Sequence, residues 1–195
     1  EAKSNVPDPD RQLFSTIYKK MTQLFVLSAI GSDSTGIVQD ITEVILNCGG
    51  NIEESRMTTL GNEFAMLMLV SGNWHTLNRL EKGLEKLDDG DLTFTIRKTG
   101  ERQVKEDRMP YAVDVESLDH EGIVFSLANF FASHNIEIAD VATRSYPAAH
   151  TGAQMFAVQM AVNVPSSIHI AQLREEFLEL SDRLNLDAIL EPVKG

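Results

Sequence analysis

The sequence predicts an α+β protein made of two tandem βαββαβ units, each an antiparallel four-stranded sheet with both helices on one face. One observation is an internal repeat: Asp33-Ser34-Thr35-Gly36-Ile37-Val38 returns 86 positions later as Asp119-His120-Glu121-Gly122-Ile123-Val124. A second is that apolar residues follow each copy at helical spacing. A third is that each copy continues through a strand hairpin, a second helix and a closing strand. Two split βαβ units in sequence give a ferredoxin-like arrangement, so the repeat predicts two such domains.

The first unit contains elements whose periodicity is typical of half-buried strands and amphipathic helices. Its hairpin is predicted at Gly61-Asn62, a dipeptide that favours a tight turn. The expected elements are strand 24–30, helix 36–48, hairpin strands 51–60 and 63–71, helix 76–87 and strand 92–96.

The second unit repeats this order with a longer hairpin loop at 147–152. The expected elements are strand 111–115, helix 122–134, hairpin strands 136–145 and 153–164, helix 168–184 and strand 186–193. Asn51-Ile52-Glu53 is matched to Asn135-Ile136-Glu137, on the interpretation that Gly49-Gly50 has no counterpart in the second unit.

The domain organisation follows from the repeat and from a charged segment between its copies. We expect an N-terminal extension at 1–21 that is part helical, a first domain at 22–98, a linker at 99–108 and a second domain at 109–195.

Residues 64–70 are apolar on both faces of their strand. This pattern predicts that the open sheet faces are covered by each other, by a second chain or by the extension, and we expect a homo-oligomer.

Composition and charge argue against several classes of function. The chain of 195 residues has 17 basic and 29 acidic residues, giving a net charge of −12, so direct binding to nucleic acid or to an anionic membrane is disfavoured. Cys48 is the single cysteine, which excludes an internal disulfide and fits a reducing compartment. We expect a cytoplasmic protein, with an organelle left open because the sequence starts at Glu1 and not at Met.

Motifs for catalysis or metal binding are missing from the sequence. The five histidines form no HxxxH or HExxH spacing, and no GxSxG segment occurs. The dense cluster Asp119-His120-Glu121 is interpreted as a solvated loop at a helix start. We therefore predict no catalytic residue, no metal site and no cofactor.

The two strand-to-helix turns are the most distinctive feature of the repeat. Asp33 to Gly36 and Asp119 to Gly122 each place an acidic residue, two polar residues and a glycine before a helix. In one interpretation these residues only cap the helix. In the other, the glycine lets a ligand approach the backbone, and the positive helix end binds its carboxylate. Asn51 and Asn135 would add side-chain amides.

The βαββαβ order, with a D-x-x-G-I-V turn and a following N-I-E, resembles the ACT domain, a small-molecule-sensing module of amino-acid metabolism. The resemblance covers residues 22–195. Residues 49–56 and 60–64, reading GGNIEESR and LGNEF, are similar more narrowly to the glycine cleavage system transcriptional repressor group. Asn135-Ile136 followed by Thr143-Arg144 matches the second domain of that group.

The resemblance implies an amino-acid site where two domains meet, lined by the glycine turn and the start of the second strand. The residues carried over are Asp33, Ser34, Thr35, Gly36, Ile37 and Asn51, with Asp119, His120, Glu121, Gly122, Ile123 and Asn135 as counterparts. Glu121 would repel a carboxylate, so the first turn is the better candidate.

The resemblance also implies regulation and not turnover. We expect a non-enzymatic protein that senses an amino acid or a related metabolite and modulates a transcription-factor or enzyme partner in amino-acid metabolism, with glycine cleavage as the narrower expectation. Two alternatives remain: a structural oligomerisation module without ligand, and a regulatory fragment related to formyltetrahydrofolate deformylase-type enzymes.

Overall fold

The structure is a computed structural model that describes residues 22–87, 90–103 and 107–193. The predicted, part-helical N-terminal extension at 1–21 lies outside the described residues. The chain divides into two compact units, with the boundary after Gln103. Each unit is described by itself.

The first unit has the βαββαβ order that the sequence predicts. Its elements are β1 (Gln23–Ser32), α1 (Ile37–Asn47), β2 (Asn51–Leu60), β3 (Glu63–Gly72), α2 (Trp74–Leu84) and β4 (Leu92–Thr99). The described strands form a four-stranded sheet in the order β2-β3-β1-β4, and each neighbouring pair is antiparallel.

The second unit repeats the same topology. Its elements are β5 (Arg108–Leu118), α3 (Ile123–Ser133), β6 (Glu137–Pro147), β7 (Gln154–Pro165), α4 (Ile170–Leu184) and β8 (Asp187–Pro192). The sheet order is β6-β7-β5-β8, again with antiparallel pairs. The predicted fold class is therefore confirmed. Among the helices that the structure describes, none is long and apolar enough to cross a membrane.

Each unit buries one face of its sheet under its helices and leaves the other face open. In the first unit, Leu27 and Met68 of the sheet pack in one cluster with Ile41 and Leu80 of the helices. In the second unit, strand residues pack in one cluster with the aromatic rings of the two helices, Phe130, Phe131 and Phe177. This is the core expected where amphipathic helices pack on a sheet whose side chains alternate.

Strand β3, whose residues 64–70 are apolar on both faces, buries only one of these faces within its unit. Phe64 and Met68 point into the core, whereas Leu67 is 51% exposed and Ile30, on the neighbouring strand, is 54% exposed. That this face is covered, by the other sheet, a second chain or the N-terminal extension, stays a prediction.

Several elements differ in length from the expected ones because backbone pairing and capping, not side-chain periodicity, set their ends. β5 is paired from Arg108 to Leu118, well beyond the predicted 111–115. α2 begins at Trp74 because the Asn73 side chain caps it: the backbone N–H groups of His75 and Thr76 donate to Asn73 Oδ1 at 2.9 and 3.2 Å.

The strand register corrects the proposed match between Asn51 and Asn135. Asn51 pairs with Ser71, and the residue that holds the same place in the second sheet is Glu137, which pairs with Asn163. Asn135 instead follows α3 with φ 55°, as Gly49 follows α1 with φ 74°. Both are left-handed residues at a helix end, where Asn can replace Gly. The repeat therefore continues without a gap, and the match that assumed one is wrong.

Candidate functional site

The first turn, residues 33–36, leaves a bare stretch of backbone at the start of α1. The Asp33 N–H donates to Asn62 O at 3.1 Å, which fixes the turn to the β2–β3 hairpin. Gly36 has φ 98°, a conformation that side chains rarely adopt. A Cβ atom built on Gly36 would meet nothing within 4 Å. A ligand can therefore approach the backbone of Gly36 from the side on which any other amino acid would carry its side chain.

The start of α1 is electrostatically suited to an anion. A helix leaves its first N–H groups without intrahelical acceptors, and its N-terminal end carries partial positive charge. No side chain caps α1. Asp33, Ser34 and Thr35 are exposed, and in the part of the chain that the structure describes their side chains make no hydrogen bond or ion pair. The backbone N–H groups at the start of α1 and the side chains of this turn therefore remain available to bind a ligand.

The second turn, residues 119–122, has the same backbone but uses its side chains within its own unit. Gly122 has φ 90°, and the Asp119 N–H donates to Gln154 O at 2.8 Å. Ser145 Oγ donates to Asp119 Oδ2 at 2.8 Å. The His120 ring nitrogens lie 3.1 Å from Glu121 O and 3.4 Å from Leu184 O. Together with the negative charge of Glu121, these bonds make the second turn the poorer anion site.

The structure keeps the predicted turn residues together and places the two asparagines elsewhere. Ser32, which precedes the first turn, pairs with Glu63, whereas Asn51 pairs with Ser71 at the other end of β3. Eight residue steps along a strand separate these ends by roughly 27 Å. Asn135 likewise lies beyond the far end of α3. Within one unit, therefore, neither asparagine shares a site with its turn. Ile37 and Ile123 are buried beneath the turns.

The Asn51 amide donates a hydrogen bond to the carboxylate of Glu53, within its own strand. Glu53 Oε1 accepts hydrogen bonds from Ser71 Oγ and from Asn51 Nδ2, the latter at 3.0 Å. These two bonds, that of Ser71 first, hold the pKa of Glu53 below its usual value. Glu53 occupies a β-bulge between Ile52 and Glu54. The sequence carries no clear signal for a bulge, so this arrangement is visible only in the fold.

Groups suited to metal or nucleophilic chemistry are not assembled in the described residues. No cluster of three or more His, Cys, Asp or Glu side chains that could hold a metal ion occurs among them. Cys48 is buried, and burial raises the pKa of its thiol, which disfavours the reactive thiolate form. Among the described residues, the two glycine turns are the candidate sites that expose backbone at a helix start.

Comparison with known proteins relates this architecture to a regulatory family. A model of the ACT domain family matches residues 23–97. The glycine cleavage system transcriptional repressor of Escherichia coli K12 is 31% identical over 169 residues, which cover 86% of this chain and 89% of the repressor.

Two crystal structures share the fold over most of their length. One, of a Galdieria sulphuraria protein described as unknown, has a TM-score of 0.76 at 30% identity and covers 89% of this chain and 99% of its own. The other, solved as a candidate glycine cleavage system transcriptional repressor, has a TM-score of 0.66 at 28% identity. It covers 90% of this chain and 99% of its own.

Proposed function

The chain belongs to the family of the glycine cleavage system transcriptional repressor, and we propose that it is a non-enzymatic regulator that binds an amino-acid-like metabolite at its first turn. The observation that carries the proposal is the open corner at Gly36, where a Cβ would meet nothing within 4 Å and no side chain caps α1. The carboxylate of the ligand binds at the positive end of α1. The Asp33 side chain, exposed beside it, accepts from the ammonium group.

The ligand would act on a protein partner by favouring one conformation of the regulator over another. A ligand shifts such an equilibrium only by its difference in affinity for the two states. The partner is a transcription factor or an enzyme and not DNA, because the net charge of −12 opposes contact with phosphates. Glycine is the first ligand to test, given the name of the repressor to which the chain is related.

The chain itself supplies matched variants for the test. Thr35 of the first turn corresponds to Glu121 of the second, so the turn accommodates a glutamate without loss of its backbone conformation. Thr35→Glu should weaken binding of the amino acid by tenfold or more, because a second negative charge opposes the carboxylate. Glu121→Thr should leave binding at the first turn unchanged. Isothermal titration with glycine and then the other amino acids measures both.

Two results would contradict the proposal. One is the absence of binding heat for all twenty amino acids at millimolar concentration. The other is a ligand whose affinity is the same for the Thr35→Glu variant and the unchanged chain.

A structural oligomerisation module is the second candidate function. It is favoured by the exposed apolar side chains of the first sheet, Ile30 and Leu67. Light scattering with and without the amino acid separates the two, because a sensor has a ligand response and a pure scaffold has none.

A further inference from the structure

The open face of the second sheet carries a groove of about 280 Å³ that is separate from both turns. Its floor includes Ala157, which is only 7% exposed although its side chain lies on the open face. Arg144 of β6 lies on one side of this alanine, and Glu116 of β5 lies on the other. We call this depression the open-face groove. Its volume is near the lower limit of roughly 300 Å³ for ligand pockets, so it suits a small molecule.

The strand register places unlike charges in one row across the groove. The row reads Arg144, Ala157, Glu116 and Asp187, each directly opposite the next. The Cα atoms of Arg144 and Glu116 are thus separated by two strand spacings, about 10 Å. Asp114, one row away, also lines the groove and accepts from Gln159 Nε2 at 3.2 Å.

These charges do not neutralise one another within the described residues. The Arg144 guanidinium lies 5.1 Å from the centre of the Tyr146 ring, and no ion pair joins it to Glu116 or Asp187. Glu116 and Asp187 are cross-strand neighbours of like charge, an arrangement that destabilises a sheet. The groove therefore holds a cation on one side and uncompensated carboxylates on the other.

The first unit shows that the fold itself does not require these charges. At the corresponding row it carries Thr58, Ala65, Ile30 and Thr93. The alanine floor is kept, but the arginine and both carboxylates are replaced by neutral side chains. A structural role common to the two repeats cannot explain charges that only one of them has, and a ligand with complementary charges can.

We propose that the open-face groove binds a small dibasic amino acid, with its carboxylate on Arg144 and its side-chain cation on Glu116 and Asp187. Three carboxylates and one guanidinium line the groove, so a ligand with one anionic group and more than one cationic group complements it. The width of the row favours a ligand whose terminal cation is several bonds from its carboxylate. The site is independent of the first turn and does not rest on the function proposed for it.

L-Lysine, titrated into the full chain at low ionic strength, tests the site. We expect binding to be about tenfold weaker for norleucine, which lacks the terminal cation, and for 1,5-diaminopentane, which lacks the carboxylate. Arg144→Thr and Asp187→Thr, which copy the residues of the first unit at those positions, should each lower the affinity for lysine about tenfold. Far-UV circular dichroism checks that both variants are folded.

The controls separate this site from the first turn. Arg56→Gln, in the first unit and outside the first turn, should leave lysine binding at the open-face groove unchanged. In the unsubstituted chain, amide chemical shifts should move on β5 to β8 when lysine is added. Lysine that fails to bind at about 10 mM, that binds Arg144→Thr and Asp187→Thr as tightly as the parent, or that moves shifts only at the turns would overturn the proposal.

Discussion

His134 joins the two helices of the second unit through both nitrogens of its ring. Nδ1 lies 2.9 Å from Phe130 O, and Nε2 lies 2.7 Å from Glu176 Oε2. The other oxygen of Glu176 accepts from Gln172 Nε2 at 2.9 Å. The Phe130 carbonyl, and after it Glu176, raise the pKa of His134, while the bond from His134 is the main cause that lowers the pKa of Glu176.

These shifts predict a pH window for stability. The raised pKa of His134 means that its contribution is complete below the unfolded value of about 6.5 and is lost as pH rises through the folded value. The lowered pKa of Glu176 means that its contribution is complete above about 4.5 and is lost as pH falls through the folded value. Between these limits, His134→Asn should lower Tm by roughly 2 °C, and the difference should shrink as pH rises through the raised pKa of His134. Calorimetry from pH 4 to 8 measures it. A difference in Tm that does not change with pH would contradict the ion pair.

Gly83 sets how closely the two helices of the first unit approach each other. It lies in α2, inside the apolar stripe that contains Leu80 and Leu84. A Cβ atom on Gly83 would lie 2.6 Å from Val44 Cγ1 of α1, and Cys48 Sγ would be 3.7 Å away. The glycine therefore lowers helix propensity in return for close packing of the two helices.

Gly83→Ala should destabilise the first unit despite the better helix propensity of alanine. Overpacking costs about 1–3 kcal/mol, and the propensity gain returns about 1 kcal/mol, so we expect a net loss near 1 kcal/mol in urea unfolding. Val44→Ala removes the methyl group that the new Cβ would meet. The Val44→Ala, Gly83→Ala double variant should then be more stable than the sum of the single effects predicts. If the changes in unfolding free energy of the two single variants simply add up in the double variant, the new Cβ does not collide with Val44, and the two helices separate at no cost in stability.

At the scale of the whole molecule, the open face of the first sheet is the expected contact between copies of the chain. Leu67 is 51% exposed in the middle of β3, and Ile30, one row away on the neighbouring strand β1, is 54% exposed. Exposed apolar side chains grouped on one face are typical of interaction surfaces. We therefore expect this face of the first sheet to lie between subunits of a homo-oligomer.

Leu67→Lys should lower the mass measured by light scattering, because a charge would be buried at the subunit interface. Leu46→Lys is the matched control: Leu46 is 73% exposed on the helical side of the same unit, and its replacement should leave the mass unchanged. Since both side chains are largely exposed, neither change should prevent folding. An oligomer that persists in the Leu67 variant would place the interface elsewhere.

Periodicity was sufficient to predict the order of the elements but not their ends. The helical stripe after Gly36 and the hairpin at Gly61-Asn62 are local signals, and α1, β2 and β3 lie where those signals predict. The start of α2 depends on the Asn73 cap, and the length of β5 depends on its pairing with β7. Both involve bonds that apolar spacing does not record.

The sequence by itself determined the duplicated βαββαβ fold, the two glycine turns and the strongly negative charge, because periodicity, turn chemistry and composition are local properties of the chain. Only the tertiary structure decided that Asn51 lies at the far end of the sheet from the first turn and that Asn135 is the counterpart of Gly49. It alone placed Arg144, Glu116 and Asp187 in one row. These relations depend on strand register, which joins residues that are distant in the chain.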